Sequence, residues 1–273
     1  MDINLENYFQ LDLKSRQNLT LEILSLLEQD FELLEMPSHN NLLPTFINSK
    51  TGLIFKYIFG GTFNMGFSEE EERQAKNICN PIPANLNEMR PVTPVTVKSF
   101  LISIHPILNN LYWKLFNIKR TKKDFTYYPA YLTREQAKKL LADIGFRLPY
   151  EQEWEYVCRA TTKTLFNFGD KLIEDQYLFP LLNNNFYDLT KLTPNLFGLY
   201  GIFTGEWCED EYRFSYEKNS PKEQGSYVVR GGGSIFWPWQ DEEWVWCMSA
   251  MRMPSKDLID GTCGVRLVFD INF

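Results

Sequence analysis

The chain has 273 residues, enough for one large domain or two small ones. Acidic side chains outnumber basic ones 35 to 28, and the resulting net charge of −7 repels phosphate backbones and argues against nucleic acid as a partner. Five widely spaced cysteines with no Cys-x-x-Cys pair give neither a disulfide framework nor a zinc ribbon, and two histidines exclude a site that needs three imidazoles from this chain.

No apolar run reaches the roughly 18 to 20 residues that cross a bilayer. The start, Met1 to Glu6, is acidic and lacks the apolar centre of a signal peptide. These features predict a soluble, cytoplasmic protein without a membrane partner. Leu19, Ile23, Leu26, Leu27, Leu33 and Leu34 recur at near-helical spacing and predict an amphipathic helix from Thr20 to Met36, ending near Pro37. Residues 1–50 therefore read as an N-terminal helical extension that packs on the body or docks a partner. From Leu53 the texture changes. Phe55, Tyr57 and Phe59 alternate with Ile54, Lys56 and Ile58 as in a strand, Gly60-Gly61 interrupts it, and Thr62 to Gly66 resumes. Ser68 to Ala75 reads as a charged helical insertion, and Val92 to Ile104 as strands around Pro94. Leu108 to Phe116 and Thr133 to Ile144 read as helices, the second with a threonine cap and a stop at Gly145. Glu151 to Ala160 reads as a third. Residues 161–225 form a long aromatic and Asn/Gly-rich stretch read as loop, a length that usually marks function or an elaborated coil.

The densest motif is Arg147-Leu148-Pro149-Tyr150-Glu151-Gln152-Glu153-Trp154-Glu155-Tyr156-Val157-Cys158-Arg159. Its proline suits a helix start, its acids favour the first turn, and its aromatics can anchor the helix to neighbouring layers. The string resembles a signature of the formylglycine-generating enzyme, or sulfatase-modifying factor, family. Other pieces follow in that family's order: Phe59 to Gly66, Glu88 to Phe100, Pro129 to Ala137, Phe168-Gly169-Asp170, Pro194 to Tyr200, Glu206-Trp207, Arg230 to Ser234 and Gly264-Val265-Arg266. The resemblance spans residues 53–269. It implies an α+β, C-type-lectin-like fold with little regular secondary structure.

The resemblance also implies where chemistry would sit. The family's oxidases bind copper(I) through two thiolates separated by four residues, and soft copper(I) favours sulfur. Counted along the resemblance, the second falls on Cys247 and the first on Glu242. A carboxylate is a poor copper(I) ligand, so copper is not expected, nor is conversion of a peptide cysteine to formylglycine. Iron-dependent relatives carry their histidines on an additional domain that this sequence lacks. The family's calcium loop is shortened at Phe203 to Trp207. Asn183, Asn184, Asn185 and Asp188 offer oxygen ligands that suit calcium, and the same string also reads as a plain asparagine-rich turn.

Beside the lost copper position, four of the seven tryptophans fall within ten residues: Trp237, Trp239, Trp244 and Trp246, interleaved with Asp241, Glu242 and Glu243. In a strand Trp244 and Trp246 would share a face. One reading is a packed plug. The other is an exposed cleft for a protein, a peptide or a small cationic ligand, since rings and carboxylates both attract cations. On the binding reading the contacts are Trp237, Trp239, Asp241, Glu242, Trp244 and Trp246, with Glu206 and Trp207. Variable proteins of diversity-generating retroelements share this fold and display their binding residues in the segment corresponding to 235–263. The opposing reading is a divergent oxidoreductase acting on a peptide or small thiol without the usual copper site, with Glu242, Cys247 and Ser249 as its candidate groups.

Overall fold

The computed structural model describes residues 3–27, 30–119, 126–171, 189, 193–201, 204–231, 241–256 and 263–271. Its main layer is a five-stranded antiparallel sheet. The strands are β1 (Phe31–Glu35), β2 (Thr45–Asn48), β3 (Ile54–Ile58), β6 (Phe100–Ser103) and β10 (Val268–Asp270), in the order β1-β2-β3-β6-β10. Between β3 and β6 the chain forms a separate hairpin of β4 (Gly61–Met65) and β5 (Thr93–Val97). A three-stranded sheet follows, built from β7 (Glu206–Arg213), β8 (Lys222–Arg230) and β9 (Arg252–Ser255). The mixture is α+β, with much of the chain outside helices and strands.

The N-terminal segment departs from its expected course. Helix α1 covers Leu5–Gln10 and α2 covers Leu13–Leu26, so the helix expected over Thr20 to Met36 is displaced toward the start of the chain. Asn4 and Asp12 accept hydrogen bonds from Asn7 N and Ser15 N and fix the two helix starts. Leu33 and Leu34 belong to β1, where adjacent side chains face opposite sides, so Leu33 packs against the core and Leu34 is exposed. The segment is thus not a helical extension alone: β1 and β2 continue the sheet through the register Phe46↔Phe55. Tyr8 is fully buried, stacks on Phe59 at 3.9 Å and donates its hydroxyl to Leu42 O. One hydrophobic cluster runs from Leu5 and Tyr8 through Phe46 and Phe55 to Val268.

Other elements lie where their local signals put them. Ser68 and Glu71 form a reciprocal cap on helix α3 (Glu69–Ile78). Helix α4 is Asn109–Leu115. Helix α5 (Arg134–Ile144) has the same box from Thr133 and Gln136, and ends on Gly145 in the left-handed region that glycine adopts without strain. Helix α6 (Glu151–Arg159) follows Pro149. The stretch read as loop over 161–225 instead contains β7 and the start of β8, whose polar, bulged hairpin hides its alternation. The expected strand at Trp244 is a 3-10 helix, Asp241–Cys247. Among the described residues no helix is long and apolar enough to cross a membrane.

Truncating Phe46, fully buried, is expected to destabilise the whole domain by about 3–5 kcal/mol, as truncating Phe55 should. Denaturant unfolding of Phe46→Ala should show one cooperative transition with a lower midpoint. An unchanged main transition would mean that the N-terminal segment is a separate unit.

Candidate functional site

Helix α6 brings Glu151 and Glu155, one turn apart, under the end of the three-stranded sheet. Arg230, at the end of β8, donates Nη1 to Glu151 Oε1 (3.1 Å) and Nη2 to Glu155 Oε2. Arg252, at the start of β9, donates Nε and Nη2 to the two oxygens of Glu151 at 2.7 and 2.8 Å. Arg159, one turn past Glu155 on α6, donates to Glu155 (2.8 Å), Glu71 (2.9 Å) and Gly66 O (2.9 Å). Three carboxylates thus face three guanidiniums, all buried. Two rings, Tyr212 and Tyr216, lie 4.6 and 4.7 Å from the Arg252 guanidinium, and Tyr216 donates to Glu151. Tyr212 donates to Glu88.

Electrostatics decides what these groups can do. Burial works against the charged form of Glu155, but Arg159, Arg230 and the Gly66 N–H outweigh it and hold the carboxyl below its ordinary range. Burial dominates at Glu71 and raises it. Isolated charges at such depth would cost several kcal/mol each, so each must keep its partner. A carboxylate with both oxygens committed to guanidiniums is a poor general base.

The same network reaches the chain that follows the tryptophan-rich string, and the end of β7. Arg230 donates to Ser249 O (2.9 Å) and Ala250 O (3.1 Å), and Arg252 to Arg213 O (2.7 Å). The chain after the 3-10 helix is therefore held down by charged donors from β8. Trp244 is 2% exposed and meets Phe166 edge-on, within a second apolar cluster with Phe67, Met89 and Met248. Its expected exposure is corrected: the 3-10 turn rotates Trp244 inward and leaves Trp246 half-buried at the margin of that cluster. Cys247 and Ser249 are buried as well. Beneath them burial pushes the Cys158 thiol up to about 12, with Ser249 beside it opposing the rise. None of the five cysteines is in a disulfide, and only Cys79 is not buried.

Glu206 and Trp207, expected at a ligand surface, are also corrected to the interior. Glu206 accepts Arg266 Nε and Nη2 at 2.9 and 2.7 Å and Trp154 Nε1 at 2.8 Å, which uses both oxygens. Trp207 is fully buried and donates Nε1 to Leu132 O. Asp241 and Glu242 lie on the 3-10 helix. Trp237, Trp239, Asn183, Asn184, Asn185 and Asp188 lie outside the described residues. Glu242 and Cys247 would supply one carboxylate and one thiol, a donor set that does not fit copper(I). Sequence reasoning passed over Arg252, Tyr216 and Glu71. No local pattern marks them, because their partners lie 101, 65 and 88 residues away.

Asp210 caps this region from β7, accepting Glu151 N at 2.6 Å. Burial, with the Glu151 charge adding to it, raises its carboxyl to about 6 despite that hydrogen bond. A folded value above the ordinary 3.8 favours the protonated form. The stabilisation is complete below about pH 4 and is lost as pH rises through 6. Asp210→Asn cannot ionise. It should match the parent protein at low pH and exceed it above neutrality by at most about 3 kcal/mol, at about 1.36 kcal/mol per pKa unit, in denaturant melts across that range.

The geometry agrees with three comparisons. Residues 121–271 match the sulfatase-modifying factor enzyme 1-like domain. The structure resembles that of PvdO from Pseudomonas aeruginosa, with a TM-score of 0.60 and 18% identity over 82% of this chain and 97% of that one. It also resembles Treponema denticola variable protein 1, with a TM-score of 0.58 and 16% identity over 87% and 98% of the two chains. In sequence it is 25% identical over 182 residues to serine/threonine-protein kinase pkn1 of Chlamydia caviae. That match takes in 52% of this chain and spans only 29% of the kinase's length. The family model matches more than half of the chain, in the region that holds α5, α6 and all the strands from β7 to β10, and the chain belongs to the sulfatase-modifying factor family.

Proposed function

We propose that this chain is a non-catalytic, ligand- or protein-binding member of its family, with its recognition surface in residues 235–263. The contacts are Trp237, Trp239, Asp241, Glu242 and Trp246, and the partner presents a basic side chain or is itself a small cation. The observation that carries this reading is the consumption of the family's acids and bases in the interior. Glu151, Glu155 and Glu206 are bound to Arg252, Arg230, Arg159 and Arg266, and Cys247 and Ser249 are enclosed. What remains to meet a ligand is the aromatic and acidic character of the segment itself. The likeness to a variable protein supports the same use of the fold. None of the five cysteines is joined in a disulfide, which suits a reducing compartment, and the cytoplasm is the proposed location.

The family's copper-dependent oxidation would give formylglycine in a Cys-x-Pro-x-Arg peptide incubated with the protein, copper and oxygen; mass spectrometry should find none. For the binding reading, a lysine- and arginine-rich peptide is titrated by calorimetry at low and high salt. Trp239→Ala and Trp246→Ala should each weaken binding about tenfold or more, the scale of a desolvated cation–π contact, with little change in melting temperature. Trp244→Ala should instead destabilise the fold by about 3–5 kcal/mol. Unchanged affinity in Trp239→Ala and Trp246→Ala would remove the basis of the proposal.

A further inference from the structure

A second region, remote in sequence from the tryptophan segment, carries an independent inference. Strand β4 pairs with β5 along one edge only. Asn64 is opposite Pro94 in that ladder, and proline has no N–H to exchange. The hydrogen-bonded pairs must therefore be Gly61/Val97, Phe63/Val95 and Met65/Thr93. The main-chain N–H and C=O groups of Thr62 and Asn64 point the other way, to the outer edge. The close Thr62 Oγ1–Thr96 Oγ1 approach of 2.9 Å fits a non-hydrogen-bonded pair.

That outer edge is closed at both ends and open between them. At one end Leu5 N donates to Gly60 O. At the other, Gly66 N donates to Glu155 Oε1 and Gly66 O accepts from Arg159 Nη2. Among the described residues, no partner is present for the main-chain groups of Thr62 and Asn64. A cavity of about 760 Å³ lies alongside, bounded by α1, the start of α3 and the turn after α6. It is lined by β4 residues of both faces, Gly61 to Asn64, and by none of β5, so it follows the unpaired edge. Phe9, Phe63 and Tyr156 supply an aromatic wall. Of the charged residues on the lining, Glu71 is paired with Arg159 and Glu70 with Arg73, which leaves Glu6 and Lys163 as a balanced pair of charges.

We propose that the outer edge of β4 is a docking slot for an extended peptide of another protein, which adds a third strand to the β4–β5 hairpin. The four open main-chain groups fix two residues of the peptide, and the aromatic wall takes one large apolar side chain between them. Edge addition of this kind draws affinity from main-chain hydrogen bonds and selectivity from alternate side chains.

The probe is the peptide Lys-Val-Thr-Phe-Thr-Val-Lys, added at millimolar concentration to the full chain, with amide hydrogen exchange read by NMR. The Thr62 and Asn64 amides should exchange freely in the protein alone and slow roughly tenfold or more with peptide. Asn64→Pro removes an outward donor without touching a β4–β5 hydrogen bond and should abolish the slowing. Retained protection of the Phe63 and Met65 amides would show that the hairpin is intact in that variant. A peptide N-methylated at alternate residues tests the same contact without altering the protein and should have no effect. Slowing confined to residues 241–255, no slowing at all, or equal slowing with the methylated peptide would overturn the proposal. So would slow exchange without peptide in a protein that dimerises, since a second copy would then be the occupant.

Discussion

Helix α6 can be buried only because each of its carboxylates finds a guanidinium. Glu151 and Glu155 sit under a sheet of other residues' side chains, where an unpaired charge would cost several kcal/mol. Their partners come from β8, β9 and the far end of α6 itself. Each arginine then has donors left over, and spends them on main-chain carbonyls: Ser249, Ala250, Arg213 and Gly66. This is how a chain with so little regular secondary structure keeps a defined shape. Coil carbonyls that would otherwise need a ladder are satisfied by a central charge cluster. The cluster is balanced, three against three, so it neither attracts counter-ions nor offers a base to a substrate.

A related arrangement closes the other side of the domain. Glu206 takes Arg266 and Trp154, and Arg266 reaches the carbonyls of Ser103 and Tyr200. The end of β6, the turn at Tyr200, the run into β10 and the start of β7 are thereby tied through one carboxylate. The N-terminal segment is joined by different means. Lys56 on β3 is buried, and burial lowers its ammonium to about 8, with Glu35 opposing the change. Its Nζ donates to Thr45 and Asn41, which locks the connection between β1 and β2 onto the centre of the sheet. A Cβ at Gly198 would lie 2.7 Å from the Lys56 side chain, so the glycine in that turn leaves the lysine its room.

How much of this was legible in the sequence depended on distance along the chain. Helices α5 and α6 carry their own start and stop signals within a dozen residues, and both were readable: Thr133 with Gln136, Gly145, and Pro149 before Glu151. The motifs of the family resemblance take in Glu151, Glu155, Arg159, Arg230, Glu206 and Arg266 but neither Arg252 nor Glu71, and they indicate the fold without saying why those residues are charged. Their partners are up to 101 residues apart, so nothing local could reveal the pairing. The N-terminal leucines were misread because Leu33 and Leu34 extend a helical spacing that the chain abandons after Leu26. Trp244 was misread for a geometric reason. An alternating string suggests a strand, whereas a 3-10 helix turns each residue by a third of a circle and sends Trp244 and Trp246 to different environments.

The cysteines give the molecule an internal clock. Four of the five are enclosed, and Cys158 and Cys208 are held as neutral thiols by burial, whereas Cys79 is partly open at the end of α3. A thiol reagent added to the native protein therefore meets one sulfur promptly and the others only when a region opens. Cys158 and Cys208 lie in the large cluster around the sheet, and Cys247 lies in the smaller one beside the tryptophan segment. The order in which the slow thiols react would rank the two clusters by how often each opens, with no label introduced and no residue changed.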